Sequence, residues 1–294
     1  MLILLLCILL NSLIGVFFKL FEKYSIDNFQ AIVVNYLVCV LTAAIVYGGN
    51  PIPNDIYDRS WFWFASGLGV FFILVFNLFA LTVQKTGIMT ATIFQKMSLV
   101  APSIIAIAFY HESSGLLKWL GIVLSVVAIV LISYDENKGD NKLPAVSNKN
   151  IWIYPTATFI GSCVIDSSIF LVEKHKLVTN GDIQFLASLF LFAGITGALI
   201  LIYRILKTHT RLKFRNIVAG ICLGIPNFFS IYLLLLALQQ GWDGSLVFPV
   251  NNVGVLVLAA VSGIIFFKEK LSLIKLVGFI LSLFAIFFIS YSSW

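Results

Sequence analysis

Among the polar residues that interrupt the apolar runs of this chain, seven could do chemistry: Asn11, Gln95, Lys96, Asp166, Asn227, Asn251 and Asn252. Lys96 stands roughly nine residues into the stretch Ile88 to Glu112, IMTATIFQKMSLVAPSIIAIAFYHE, which is long enough to cross a bilayer. A cation so deep in hydrocarbon costs roughly 2.5–3.5 kcal/mol on insertion-based scales, and it is retained where it faces a protein interior or a water-filled path. A rise of about 1.5 Å per residue converts sequence position into depth. On that scale Lys96 lies roughly 13 Å from one membrane face, Asn227 roughly 17 Å, Asn251 and Asn252 roughly 20 Å, and Asp166 roughly 22 Å. Asn11 and Ser12 fall near mid-depth. Polar groups from five spans therefore converge on one layer, as a hydrophilic cavity in lipid requires. An ammonium, a carboxylate and several amides there suit binding of an anionic or carboxylate-bearing solute. They also suit proton movement, for which Lys96 and Asp166 are the deep titratable groups.

Each of these residues also has a structural reading. Lys96 can snorkel to the nearer face or form an ion pair with Asp166, and Asp166 can sit near the far face on a longer helix. Asn251 and Asn252 can join neighbouring helices by hydrogen bonds worth about 0.6–2 kcal/mol. Adjacent helical positions point about 100° apart, so one can face the path and the other a neighbour. Pro226 and Pro249 each free a backbone carbonyl, and broken backbone is expected in spans 8 and 9 where it lines a cavity. Asn35 and Asn77 lie nearer the face from which these depths are counted, and read as structural or as lying at the mouth.

Other features read as architecture. Glu112 and Glu269 precede spans 5 and 10, where a carboxylate favours the positive helix end. Gly121-xxx-Ser125 and Gly278-xxx-Ser282 are small-residue pairs for close packing of those spans. Trp61, Trp63, Trp119, Trp152, Trp242 and Trp294 fall near span ends, as an interfacial belt does. Cys7, Cys39, Cys163 and Cys222 lie in apolar runs without CxxC spacing, and read as small buried hydrophobes. His111, His175 and His209 lie at interfaces. No metal-ligand spacing, nucleophilic triad, Walker loop or GxGxxG is present, so no cofactor is implied and an ATP-driven pump or metal enzyme has no residues to stand on.

The elements that must hold these residues are all helical. The chain has 294 residues, 60% hydrophobic and 11% charged, too few charges for a soluble surface of this size. Apolar runs place ten spans at about 2–20, 28–48, 61–83, 88–110, 116–134, 151–171, 183–203, 216–238, 245–267 and 273–291. They leave no room for an extramembrane domain. MLILLLCILLNSLIGVFFKL lacks the basic segment and cleavage site of a signal peptide and reads as span 1. The net charge of +6 sits in short loops, where it orients helices and meets headgroups, and does not indicate nucleic-acid binding. DENKGDNKLPAVSNKN, residues 135–150, is a polar linker at the midpoint.

Around that linker the sequence repeats. Leu78–Tyr134 aligns without a gap on Leu235–Tyr291. Gly87, Glu112, Lys118, Gly121, Ser125, Ala128, Ser133 and Tyr134 recur as Gly244, Glu269, Lys275, Gly278, Ser282, Ala285, Ser290 and Tyr291. The two copies, 1–134 and 151–294, hold five spans each. An odd number gives the halves opposite orientation, which is the inverted-repeat architecture of secondary transporters. The alignment sets Lys96 against Val253, with Asn251 and Asn252 opposite Phe94 and Gln95, so the polar layer breaks the symmetry.

The tails HESSGLLKWLGIVLSVVAIVLISY and KEKLSLIKLVGFILSLFAIFFISY resemble the ends of the two EamA-like repeats of the drug/metabolite transporter superfamily. Pro102 and the glutamates closing spans 4 and 9 are similar too, and the resemblance covers essentially the whole chain. It implies a carrier of small metabolites or drugs in a cell membrane, bacterial inner or plasma, in contact with lipid; the oligomeric state is left open, and a monomer is compatible with it. It leaves the substrate open, and implies that both termini lie inside. Charge points the other way. Lys19, Lys23, Lys85, Lys138, Lys142, Lys149, Arg204, Lys207, Arg211, Lys213, Arg215, Lys268, Lys270 and Lys275 share the face opposite the termini, here face B. Arg59, Lys118, Lys174 and Lys176 share the terminal face, face A. The positive-inside rule makes face B cytoplasmic. The expectation is an all-α integral membrane carrier working by alternating access. The alternatives are an integral-membrane enzyme or lipid-modifying protein, which needs a catalytic constellation at one interface, and a membrane scaffold with a solidly packed midplane.

Overall fold

The computed structural model describes residues 1–111, 115–138, 151–178, 182–208, 211–242 and 244–291. Glu112, His209, Trp294 and the linker from residue 139 onward lie outside the described residues. The described residues are helical: α1 Leu2–Lys23, α2 Asn28–Tyr47, α3 Phe62–Thr86, α4 Ile88–Lys96, α5 Val100–Tyr110, α6 Leu116–Lys138, α7 Ile153–Lys174, α8 Ile183–Thr208, α9 Phe214–Gln239, α10 Gly244–Phe267 and α11 Leu273–Tyr291. With α4 and α5 counted as one span, ten are long and apolar enough to cross a membrane. Large apolar side chains face outward, among them Ile45, Leu199, Phe266 and Leu273. In water such a surface would aggregate; in a bilayer it is solvated by acyl chains. The chain is a multi-pass membrane protein.

The ends of the helices follow local chemistry. Asp27 caps α2 by accepting the Gln30 N–H at 3.1 Å. Gly48 ends α2 in the left-handed conformation at φ 77. Ser272 caps α11 through the Lys275 N–H at 3.1 Å. The cap of α11 is thus Ser272, and Glu269 serves another helix, described below.

Packing inside is close where side chains are small. α2 runs beside α9, and a Cβ on Gly220 would stand 2.5 Å from the Ala31 carbonyl. α6 and α11 pack along their length in a reciprocal way. A Cβ on Gly121 would meet Ile289 at 2.8 Å and the Ala285 carbonyl at 3.0 Å. A Cβ on Gly278 would meet Ile132 at 2.6 Å and the Ala128 carbonyl at 3.3 Å. Ser125 and Ser282, both fully buried, bond back to the carbonyls of Ile122 and Phe279. Each contact maps onto its partner under the sequence alignment of the two copies.

The expected tryptophan belt is only partly present. Trp63 and Trp119 are exposed, whereas Trp61 is buried against Phe185. Cys7 and Cys39 are buried as expected, but Cys163 is half-buried and Cys222 is exposed on α9.

Candidate functional site

The backbone breaks in span 4 and not in spans 8 and 9. α9 and α10 run helically through Pro226 and Pro249. Span 4 instead tightens into a 3-10 turn at Met97–Leu99, between α4 and α5. Pro102 supplies the physical reason. Its ring crowds the carbonyl of Ser98, four residues earlier, and offers it no N–H. The turn absorbs that loss, and α5 restarts with the proline in its first turn, where it is tolerated. Lys96, at φ −75 and ψ −24, stays right-handed, so the helix tightens without unwinding.

Lys96 therefore closes α4. It stands where the helical bonding passes from α4 into the tightened turn. The other end of α4 is held from far away in sequence. Glu269, in the loop after α10, accepts the Ile88 N–H through its Oε1 at 2.8 Å. Burial pushes the Glu269 carboxyl above the ordinary carboxylate range, and the N–H groups of Ile88 and Met89 with Lys19 and Lys275 pull it back only in part.

The turn after Lys96 delivers Ser98, whose hydroxyl donates to the Asp166 carboxylate on α7. Lys96 lies within electrostatic reach of Asp166 and of Cys7 on α1, yet closes no ion pair with Asp166. Cys7 in turn reaches the Ser230 carbonyl on α9 at 3.0 Å and Asn251 Oδ1 on α10 at 3.3 Å. Asn11 lies one turn beyond Cys7. On that face of α1, Ile8 packs where a Gly254 Cβ would be, and Gly15 receives Ile88. Asn11 thus sits between the α10 and α4 contacts of α1. Gln95 and Lys96 are only half-buried, while Phe94 and Met97 beside them are buried. Asn252 is buried next to Asn251.

The structure thus links Lys96, Ser98 and Asp166, and Cys7 with Asn251, near the tightened turn; Gln95 adjoins Lys96 in α4, and Asn11 lies on the α1 face that packs on α10 and α4. Asn227 points elsewhere, donating to Asn35 Oδ1 at 3.2 Å across the α2–α9 seam, with Cys39 at 3.7 Å. Its side chain contributes to helix packing there. Asn77 bonds back to the Ile73 carbonyl at 2.8 Å. Ser98 and Cys7 are the members of the cluster that sequence reading passed over. A polar residue two positions from an intramembrane lysine, next to a proline-induced break, was the available signal for Ser98. Cys7 had none.

The contacts around this layer differ toward the two faces. On face B, α4 and α10 are joined by a cluster of Met89, Ile93, Leu256 and Ala260, besides the Glu269 bond. Asn28 and Gln84 exchange two hydrogen bonds of 2.9 Å, and Gln30 bonds Asn216 at 2.7 Å. Toward face A the packing falls into two clusters. α5 packs on α6 and α11 through Val100, Ile107, Ile122 and Ile289, and on α7 through Tyr110, which bonds His175 at 2.9 Å. The face A end of α10 packs on α1 and α9 through Leu4, Val247, Ala237 and Trp242. Among the described residues these two clusters are separate from each other and from the one that joins α4 to α10.

Comparison with known proteins agrees with this architecture. The model of the EamA-like transporter family matches residues 1–134 and 155–291. An uncharacterized protein of Haemophilus influenzae is 27% identical over 289 residues, which is 97% of this chain and 96% of that protein. A solved crystal structure superposes with a TM-score of 0.60 at 14% identity, over 98% of this chain and 96% of the other, and shows a shared fold. With both segments of its helical chain matched by one family model, the protein belongs to the EamA-like transporter family.

Proposed function

We propose that this protein is a secondary carrier that moves a small metabolite or drug-like solute across a cell membrane by alternating access. One observation carries this reading. A lysine from the first half and an aspartate from the second lie within electrostatic reach where span 4 tightens, and they close no ion pair with each other. A buried ion pair already closed would have to be broken before a ligand bound, at high cost. Charges left open are complementary to a ligand that bridges them. Lys96 selects an anionic or carboxylate-bearing group, while Asp166, fixed by Ser98, takes a cationic or donor group. Gln95, Asn11, Asn251 and Asn252 supply the remaining hydrogen bonds.

The reciprocal α6–α11 contacts support two inverted five-helix repeats, 1–134 and 151–294, joined by the linker 135–150. Rocking of one repeat against the other would expose the layer to each face in turn. Face B is the cytoplasmic face on this reading, and the working unit needs lipid and solute but no nucleic acid. The test is a thermal-shift screen of purified protein in detergent against amino acids, sugars, nucleotide sugars and drugs, repeated on Lys96→Met. A ligand that binds the folded state raises Tm by mass action. A hit lost in Lys96→Met supports the reading; hits that Lys96→Met leaves untouched exclude the site.

A further inference from the structure

We propose that Glu269 is the latch that closes this protein toward face B, and that through α4 it positions Lys96. The proposal rests on the carrier reading. The carboxylate comes from the second half of the sequence and the helix it caps from the first, so the bond spans the two bodies that must separate for face B to open. α4 is a short helix. Glu269 holds its first N–H groups and Lys96 closes its last turn, so a shift at one end is passed to the other.

Two glycines make room for the carboxylate. A Cβ on Gly87 would stand 2.8 Å from Glu269 Oε2, and a Cβ on Gly263 would stand 2.5 Å from it. Gly87 adopts φ +94, which turns the chain between α3 and α4 and leaves the Ile88 N–H facing the carboxylate. Gly263 is helical, and its carbonyl also accepts the Glu269 N–H at 3.0 Å, which fixes the loop on the end of α10. Glycine on both sides, a backbone tie and a charge on a helix N-terminus together specify one seat for this side chain. The helix α11, which directly follows Glu269 in sequence, is capped by Ser272, so Glu269 is free of that task.

The experiment needs no substrate. Lys85→Cys and Lys270→Cys carry nitroxide labels on either side of the latch, in a Cys163→Ser, Cys222→Ser background. Both lysines are exposed, and the retained Cys7 and Cys39 are buried. The protein with Glu269 intact is expected to show strong dipolar broadening in its continuous-wave spectrum. Glu269→Ala should cut the strongly coupled fraction about threefold, and Gly263→Ala, which displaces the carboxylate without altering it, should do the same. Glu269→Gln keeps an acceptor for Ile88 and should stay coupled. A merely structural cap would lower Tm in Glu269→Ala and leave the coupled fraction unchanged, and that result overturns the latch. Should Glu269→Ala not fold, Gly263→Ala decides alone. The carrier reading fails separately, by absence of a Lys96-dependent ligand, whatever the labels report.

Discussion

Ser98 donates its hydroxyl to the Asp166 carboxylate, and so ties the turn that follows Lys96 to the second half of the sequence. A charge-assisted bond of this kind contributes about 1.5–3 kcal/mol where it is shielded from water. Ser98→Ala is expected to weaken ligand binding by roughly three- to tenfold, because the carboxylate loses its fixed orientation. Asp166→Asn should weaken it more. In the double variant the two losses should not add, since both remove the same bond. Affinities from ligand-dependent Tm give the coupling, and strict additivity would mean that the bond plays no part in binding.

Lys96→Met keeps the length and apolar stem of the side chain and deletes the charge. Membrane abundance should stay at the unmodified level, because removing an intramembrane cation lowers the insertion cost. Binding of a carboxylate-bearing ligand should fall by about tenfold or more, equivalent to about 1.4 kcal/mol. Radiolabelled uptake or ligand-induced Tm shift measures it. Normal transport by this variant would falsify the assignment of Lys96.

The depth of Lys96 and Asp166 was legible because an ionisable residue inside an apolar run has few explanations. So were the ten spans and the small-residue faces of α6 and α11. Ser98 and Cys7 were not legible, since serine and cysteine are common in apolar helices and their partners are chosen by packing. Asn227 has the same composition signal as Asn251, but only helix rotation about α9 decides that it meets Asn35. Pro102, Pro226 and Pro249, each within an apolar run, look alike in sequence. Pro226 and Pro249 are both carried inside α9 and α10, so of these three the break falls at Pro102 alone. Glu269 is next to α11 in sequence and next to α4 in space, a pairing no local rule contains.

The α6–α11 seam makes an asymmetric prediction from symmetric contacts. Gly278→Ala pushes against the Ile132 side chain, which can be shortened, whereas Gly121→Ala pushes against Ile289 N at 2.9 Å as well as its side chain. Overpacking of this kind costs about 1–3 kcal/mol. Ile132→Ala should recover part of the Tm lost in Gly278→Ala. Ile289→Ala should recover little of that lost in Gly121→Ala. Equal recovery in the two pairs would show that the seam relaxes as a whole.

Face B carries Lys19, Lys23, Lys207, Lys213 and Arg215 among many other cations. By the positive-inside rule both termini are expected outside. A C-terminal fusion to a reporter active only outside the cytoplasm should report, and a fluorescent protein that matures only inside should stay dark. The reverse pattern would place face A in the cytoplasm and reverse the direction in which the Glu269 latch opens.

The latch should respond to pH in a direction fixed by its own environment. Burial raises the Glu269 carboxyl above the ordinary carboxylate value, with Lys19 and Lys275 as the facing cations and Lys85, Lys268 and Lys270 near it in the chain. Opening toward face B hydrates the carboxyl and returns it toward the ordinary value. The latched state therefore holds its proton more tightly. Its advantage from protonation is complete below the ordinary value and is lost as pH rises through the raised one. Acid should favour the closed face B, opposite to a simple salt-bridge latch, which acid would open. In the nitroxide pair at positions 85 and 270, the coupled fraction should rise as pH falls toward the ordinary carboxylate range. Glu269→Gln mimics the protonated group, so its coupled fraction should be high and flat with pH. A coupled fraction that falls on acidification in the Glu269 protein, but not in Glu269→Gln, would show that the ionised carboxylate is what holds the latch.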